Sequence, residues 1–125
     1  MSTPCWIGIK NDDGSIDAVY CHHDGYLRYM LNMLRANYNT EELAKGLVSL
    51  GYLSSVKEKL NPTDGSGHSF TSCEPNVTIA YHRDRGEDLQ INHCDGIGQF
   101  WSLSDYNIKY QYLFYPDKNE WSYWL

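Results

Sequence analysis

Residues 6–26 read WIGIKNDDGSIDAVYCHHDGY, and this stretch decides the fold class. Trp6-Ile7-Gly8-Ile9 is an apolar run that stops at Asn11-Asp12-Asp13-Gly14. The Asp-Gly pair is a hairpin signal, because those two residues tolerate the left-handed backbone a tight turn needs. Beyond the turn, Ile16, Ala18 and Tyr20 alternate with Asp17, Val19 and Cys21, the period of a half-buried strand. The chain therefore opens with a β-hairpin. Its return strand runs into a polar cluster, His22-His23-Asp24-Gly25-Tyr26, whose glycine permits a bend.

Helices follow. Leu27, Met30, Leu31 and Leu34 fall at i, i+3, i+4 and i+7 and share one helical face. Asp24 is placed to cap that helix, its carboxylate accepting from free amides of the first turn. Asn37-Tyr38-Asn39 breaks it. A second helix starts at a Thr40 cap, with Glu41 and Glu42 at the positive end of the dipole. It buries Leu43, Leu47 and Leu50 and ends at Gly51. Ser55 and Glu58 have capping-box spacing and predict a third, short helical turn. Residues 61–76, rich in Asn, Gly, Pro and Ser, read as one long loop.

The second half is strand-like. Val77, Ile79 and Tyr81 alternate with Thr78, Ala80 and His82, and residues 83–86 turn into a further strand at 88–91. Asp95-Gly96-Ile97-Gly98 is a break. Ile108, Tyr110, Tyr112 and Phe114 alternate with Lys109, Gln111, Leu113 and Tyr115. Pro116-Asp117-Lys118-Asn119 then turns the chain into a closing hairpin at 120–124. Hairpin, helices, loop and meander make an α+β pattern over one domain, residues 1–125. The sheet is expected to be mostly antiparallel, with two or three helices packed on one face.

The net charge is -6 over 125 residues. That argues against general nucleic-acid binding, which needs a basic face to displace counterions. Met1-Ser2-Thr3-Pro4 has neither the basic segment nor the apolar core of a secretory leader, and no apolar run approaches a membrane span. The expected location is the cytosol, with no membrane partner. Cys5, Cys21, Cys73 and Cys94 form no C-x-x-C pair, and Cys21-His22 and His93-Cys94 match no standard zinc spacing. Neither metal nor cofactor is expected. The 11 Tyr, 4 Trp and 3 Phe suit both a sheet core and a contact surface.

Two polar clusters carry the candidate site. His22, His23, Asp24 and Tyr26 stand where the first hairpin meets a helix. His82, Arg83, Asp84 and Arg85 stand where a second apolar run ends. Adjacent histidines on a strand point to opposite faces, so His22 and His23 are poor co-ligands for one metal. A helix start favours an anion, and arginine is the side chain best shaped to grip one. The eight residues together read as an anion-binding site; the bland alternative is a helix cap and a solvated turn. No nucleophile elbow, P-loop or zinc-protease motif occurs, so no catalytic residue is assigned.

The runs YCHHDGY (20–26) and YHRDRGE (81–87), with the helical middle ending LGYLSS (50–55), resemble small proteins of bacteriophages and integrated mobile elements. Those proteins carry YCHWDGYP-like and YHRDRGE-like motifs, and the resemblance spans most of the chain. His23 stands where they have Trp, and Leu27 where they have Pro. The resemblance implies a phage or prophage origin and a bacterial cytoplasm; it carries no activity over. By analogy with small acidic phage proteins, it implies an anti-CRISPR-like inhibitor of a defence system, which blocks a host immune protein or sequesters a nucleotide signal. Tyr110, Tyr112, Trp121 and Trp124 are the expected aromatic contact patch for a protein target. The alternatives are a metal-dependent nuclease or phosphodiesterase using His22, Asp24, His82 and Asp84, and a structural or regulatory homo-oligomer.

Overall fold

The computed structural model describes residues 3–104 and 108–124; Met1 and Ser2, where the absence of a leader was read, lie outside that range. The opening hairpin forms as its turn dictates. Strand β1 (Cys5–Lys10) pairs antiparallel with β2 (Ile16–Cys21), from Cys5 opposite Cys21 to Lys10 opposite Ile16. Asp13 braces the turn, its carboxylate accepting from the Ser15 N–H at 2.9 Å and the Ser15 hydroxyl at 2.6 Å.

Helix α1 (Leu27–Asn37) and helix α2 (Glu41–Ser49) follow, then β3 (Leu53–Ser55), β4 (Ile79–Ala80), α3 (Tyr81–Arg85), β5 (Asn92–Cys94), α4 (Ile97–Trp101), β6 (Tyr110–Tyr115) and β7 (Glu120–Trp124). The strands make one sheet in the order β4-β3-β2-β1-β6-β7, with β5 also pairing β2. The protein is α+β with a mostly antiparallel sheet. Its two parallel ladders, β2 with β3 and β1 with β6, were not anticipated. A parallel pair needs a crossover, and α1 with α2 supplies the one between β2 and β3.

The helical stripes bury as their spacing requires. Met30, Leu31 and Leu34 of α1 and Ala44, Leu47 and Val48 of α2 join Ile7, Val19, Leu53, Tyr112, Phe114 and Trp121 in one core on one sheet face. The opposite face has its own core of Trp6, Ile16, Ala18, Cys94, Leu113 and Phe100. So α1 and α2 share a face, while α4 packs through Phe100 on the other. Gly8 makes that possible: a Cβ there would stand 2.9 Å from the Phe100 ring.

Three local expectations are corrected. Ser55 and Glu58 do not open a helix, because Leu53–Ser55 is a strand pairing with β2 and β4. Residues 88–91 are irregular, and pairing resumes only at β5. Asp24 does not cap α1; the cap position is Tyr26 and no side chain fills it. Asp24 instead takes left-handed backbone, φ 58, a conformation aspartate tolerates. Thr40 does cap α2, its hydroxyl accepting from the Leu43 N–H at 3.2 Å.

The bend at Gly25 locks the hairpin to α1. The Gly25 N–H donates to the Thr3 carbonyl at 2.7 Å, and the buried Tyr112 hydroxyl donates to the Gly25 carbonyl at 2.7 Å. A Cβ on Gly25 would lie 2.6 Å from the Cys5 Cβ and 2.7 Å from the Thr3 oxygen. Gly25→Ala is therefore expected to cost about 3 kcal/mol through overpacking. Tyr112→Phe, which orphans a buried carbonyl, is expected to cost about 1–2 kcal/mol. Urea unfolding of both variants checks this; wild-type midpoints would contradict it.

Candidate functional site

The first cluster continues the sheet before it bends. The His22 N–H donates to the Leu53 carbonyl at 3.0 Å and the His23 N–H to the Ser54 carbonyl at 2.9 Å. His22 is half-buried, its Nδ1 2.7 Å from the Tyr20 hydroxyl, while His23 is exposed, their rings 4.5 Å apart edge to face. Asp24 is half-buried and Tyr26 exposed, the Tyr26 ring beside Tyr29 at 6.1 Å. This segment contributes imidazoles to the surface, but its carboxylate does not join them in a hydrogen bond.

The second cluster is committed to structure. Arg83 donates from Nε to Asp84 Oδ1 at 2.9 Å, from Nη1 to the Leu60 carbonyl at 2.8 Å, and from Nη2 to the Thr78 carbonyl at 2.6 Å. Asp84 also accepts from the Ala80 N–H at 2.8 Å. Burial pushes the Asp84 carboxyl up, but the hydrogen bonds from Arg83 and Ala80 outweigh it and hold the pKa below the usual value. This one-turn helix ends at Gly86 in left-handed backbone. His82 directs Nδ1 at the Glu87 carbonyl, 2.7 Å away.

The same knot holds the 61–76 loop. His68 is buried against Asp84, its Nε2 3.3 Å from Oδ1 though poorly aligned for a hydrogen bond. The Glu74 N–H donates to His68 Nδ1 at 2.9 Å, which leaves the ring proton on Nε2, facing the carboxylate. Glu74 in turn accepts from Lys59 Nζ at 3.0 Å and from the Thr63 N–H at 2.9 Å, and these bonds bring its pKa down to about 2. Neither His68 nor Glu74 was singled out in the sequence; the only cue was their place in a long loop with turn residues.

Where the two clusters lie relative to each other decides what they can do jointly. Cys21, Leu53 and Ala80 are in register across β2, β3 and β4. But β3 runs parallel to β2 and antiparallel to β4. After β2 the chain passes alongside Ser54; after β4 it turns back alongside Tyr52, whose carbonyl accepts from the Tyr81 N–H at 3.2 Å. The polar tails thus leave in opposite directions from strands two spacings, roughly 10 Å, apart. Among the described residues no hydrogen bond, ion pair or ring contact joins His22, His23 or Asp24 to His82, Arg83, Asp84 or Arg85.

The tyrosine that begins the first cluster belongs to an aromatic row. Trp6, Tyr20 and Tyr52 stand side by side on β1, on β2 and just ahead of β3, with ring centroids 5.9–6.0 Å apart. Tyr81, the first residue of α3, lies across from Tyr52, its N–H donating to the Tyr52 carbonyl. Burial raises the Tyr20 pKa, and the Tyr81 phenol raises it further. Trp6 is buried, while Tyr20, Tyr52 and Tyr81 remain partly exposed. Phe70, delivered by the clamped loop, stacks on Tyr81 at 5.8 Å. Arg85 lies over both rings, 4.3 Å from Phe70 and 4.9 Å from Tyr81, and pairs with Glu87.

The expected contact patch is corrected. Tyr112 and Trp121 are core residues, 0% and 2% exposed, and the Trp121 indole donates to the Tyr38 carbonyl at 2.9 Å. They are buried because alternation on β6 and β7 turns them toward α1. Tyr110 is half-buried against the same core, and Trp124 alone of the four is exposed, its ring 5.5 Å from Trp101. Among the described residues no three His, Cys, Asp or Glu side chains are grouped to hold a metal, and no helix is long and apolar enough to cross a membrane. Comparison with protein-family models, curated proteins and solved structures finds no match to this chain.

The Arg83–Asp84 knot sets an acid limit. The Asp84 pKa is lower folded than unfolded, so its stabilisation is complete above about pH 4 and is lost as pH falls through the folded value. Asp84→Asn is expected to lose about 2 kcal/mol at pH 7, a loss that shrinks below pH 4. Urea titrations from pH 2 to pH 7 measure the gap; a gap that stays constant over that range contradicts the assignment.

Proposed function

We propose that this chain is a binding protein of phage or mobile-element origin that inhibits a bacterial defence system. It works in the host cytoplasm by occupying a defence component, a nucleotide signal or an immune protein, rather than by converting it. The observation that carries the reading is the partly exposed tyrosines at the head of the two motifs: Tyr20, in ring contact with Tyr52, and Tyr81, whose N–H donates to the Tyr52 carbonyl. Aromatic side chains with a polar tip supply large contact area at small entropic cost, which suits recognition. The resemblance to phage proteins supports the setting, and it rests on the segments that position this row.

The arrangement of polar groups favours binding over hydrolysis. A shared metal on His22, Asp24, His82 and Asp84 would have to bridge diverging segments and strip Asp84 from Arg83 and the Ala80 amide. Several of the closest acid–base pairs, Lys59–Glu74, His68–Asp84 and Arg83–Asp84, hold the loop, and among the described residues none of these has a partner resembling a nucleophile.

The test is a plaque assay in host strains with and without individual defence systems. Expression of the wild-type chain is expected to raise plating on at least one defended strain. Tyr20→Ala with Tyr52→Ala is expected to abolish that gain, while Lys118→Ala in the β6–β7 turn keeps it. Purified protein should inhibit in proportion to its amount, saturating at one to one. Protection that survives loss of both tyrosines, or that needs only catalytic traces of protein, contradicts the reading.

A further inference from the structure

We propose that the ligand of the aromatic row is a small nucleotide, its base lying against Tyr20 and Tyr52 and its phosphate on the outer edge of Arg85. This rests on the binding reading above and names the occupant.

Three features converge. First, Tyr20 and Tyr52 are partly exposed rings on a sheet face, tilted 53° to each other, and every nucleobase has a π-face that such rings accept without needing its edge. Trp6, Tyr20 and Tyr52 touch one another, and Tyr81 touches Phe70, but among the described residues no ring contact joins Tyr52 or Tyr20 to Tyr81. Tyr20 and Tyr52 are the partly exposed rings of the row, and Tyr81 beside them carries Phe70 and Arg85.

Second, a cation is fixed at the Tyr81 end. Glu87 takes Nε and Nη2 of Arg85, and the Phe70 and Tyr81 rings support the guanidinium plane. Nη1 has no hydrogen-bond partner among the described residues, so its two N–H groups remain for an anion. Arg83 is the contrast. All three of its nitrogens are already bonded to Asp84 and to the Leu60 and Thr78 carbonyls, so it cannot serve. The positioned arginine, held flat and half-exposed, is the form that recognises phosphate.

Third, charge limits the size of the ligand. With a net charge of -6 the chain repels an extended polyanion, yet one arginine beside a stacking platform meets one phosphate group. At the Tyr20 end, His22 has Nδ1 engaged by the Tyr20 hydroxyl, which leaves Nε2 for a polar atom of the ligand. A mononucleotide or cyclic dinucleotide fits this set better than a nucleic-acid strand.

Calorimetry on the full chain tests the proposal, with AMP, GMP, CMP, UMP and cyclic di-AMP as probes and the matching nucleosides and inorganic phosphate as controls. At least one nucleotide is expected to bind one to one. Arg85→Gln should weaken it about tenfold while leaving nucleoside binding unchanged, the signature of a lost phosphate contact. Tyr52→Leu should weaken nucleotide and nucleoside alike; Arg85 is half-exposed, so its variant reports even where the Tyr52 variant loses stability. No binding of any probe at about 1 mM, a weak limit corresponding to roughly 4 kcal/mol, overturns the proposal. So does nucleotide binding that is indifferent to Arg85→Gln. If no probe binds but plaque protection still depends on Tyr20 and Tyr52, the nucleotide falls and the binding reading stands with a protein target. If protection is lost as well, both fall.

Discussion

Leu53–Ser55 hydrogen-bonds to a motif-bearing segment on each side, and the arrangement of the surface depends on it. The Leu53 and Ser54 carbonyls accept from His22 and His23, and the Tyr52 carbonyl, one residue before the strand, accepts from Tyr81. Backbone groups buried in a sheet have to be paired, so these bonds leave little freedom in where the flanking segments sit. The strand directions that result, parallel on one side and antiparallel on the other, send the two polar tails apart. The same register sets Tyr20 beside Tyr52, their rings 5.9 Å apart, and brings Tyr81 at the start of α3 across from Tyr52.

The histidine and arginine clusters thus have divided duties. The Arg83–Asp84–His68 knot anchors the 61–76 loop to α3 and so delivers Phe70 to Tyr81. Gly25 ties the first cluster to the start of β1 and, through Tyr112, to β6. What remains outward is a set of rings with a half-exposed guanidinium at one end and imidazoles at the other. Stacking and one charge contact are available there; a nucleophile activated by a base is not in evidence among the described residues.

The parts of this arrangement that are local in the chain were legible in its sequence. The Asp-Gly turn predicted the first hairpin, and the leucine spacing predicted α1 and α2 with their buried stripes. The short strand β3 was not legible: Leu-Ser-Ser has weak strand preference, and the Ser55–Glu58 spacing imitates a helix start, so the partners on either side decide its conformation. Pairing of β1 with β6 joins segments about a hundred residues apart and has no local signal. At the site, the cluster residues were visible as types, but their roles were not. Tyr81 alternates with its neighbours as a strand residue should, yet it opens α3, and only the strand order shows that it lies across from Tyr52. His68, distant from Asp84 in sequence, became visible only through the fold.

The most direct measurement is a proton NOE map of the labelled chain in solution. Cross-peaks between the Tyr20 and Tyr52 rings and between the Phe70 and Tyr81 rings, with none from the His22 or His23 ring to the His82 ring, are the predicted result. Cross-peaks joining the imidazoles of the two clusters, with the tyrosine rings apart, would contradict the account. They would mean that the polar tails converge and that the aromatic row does not exist.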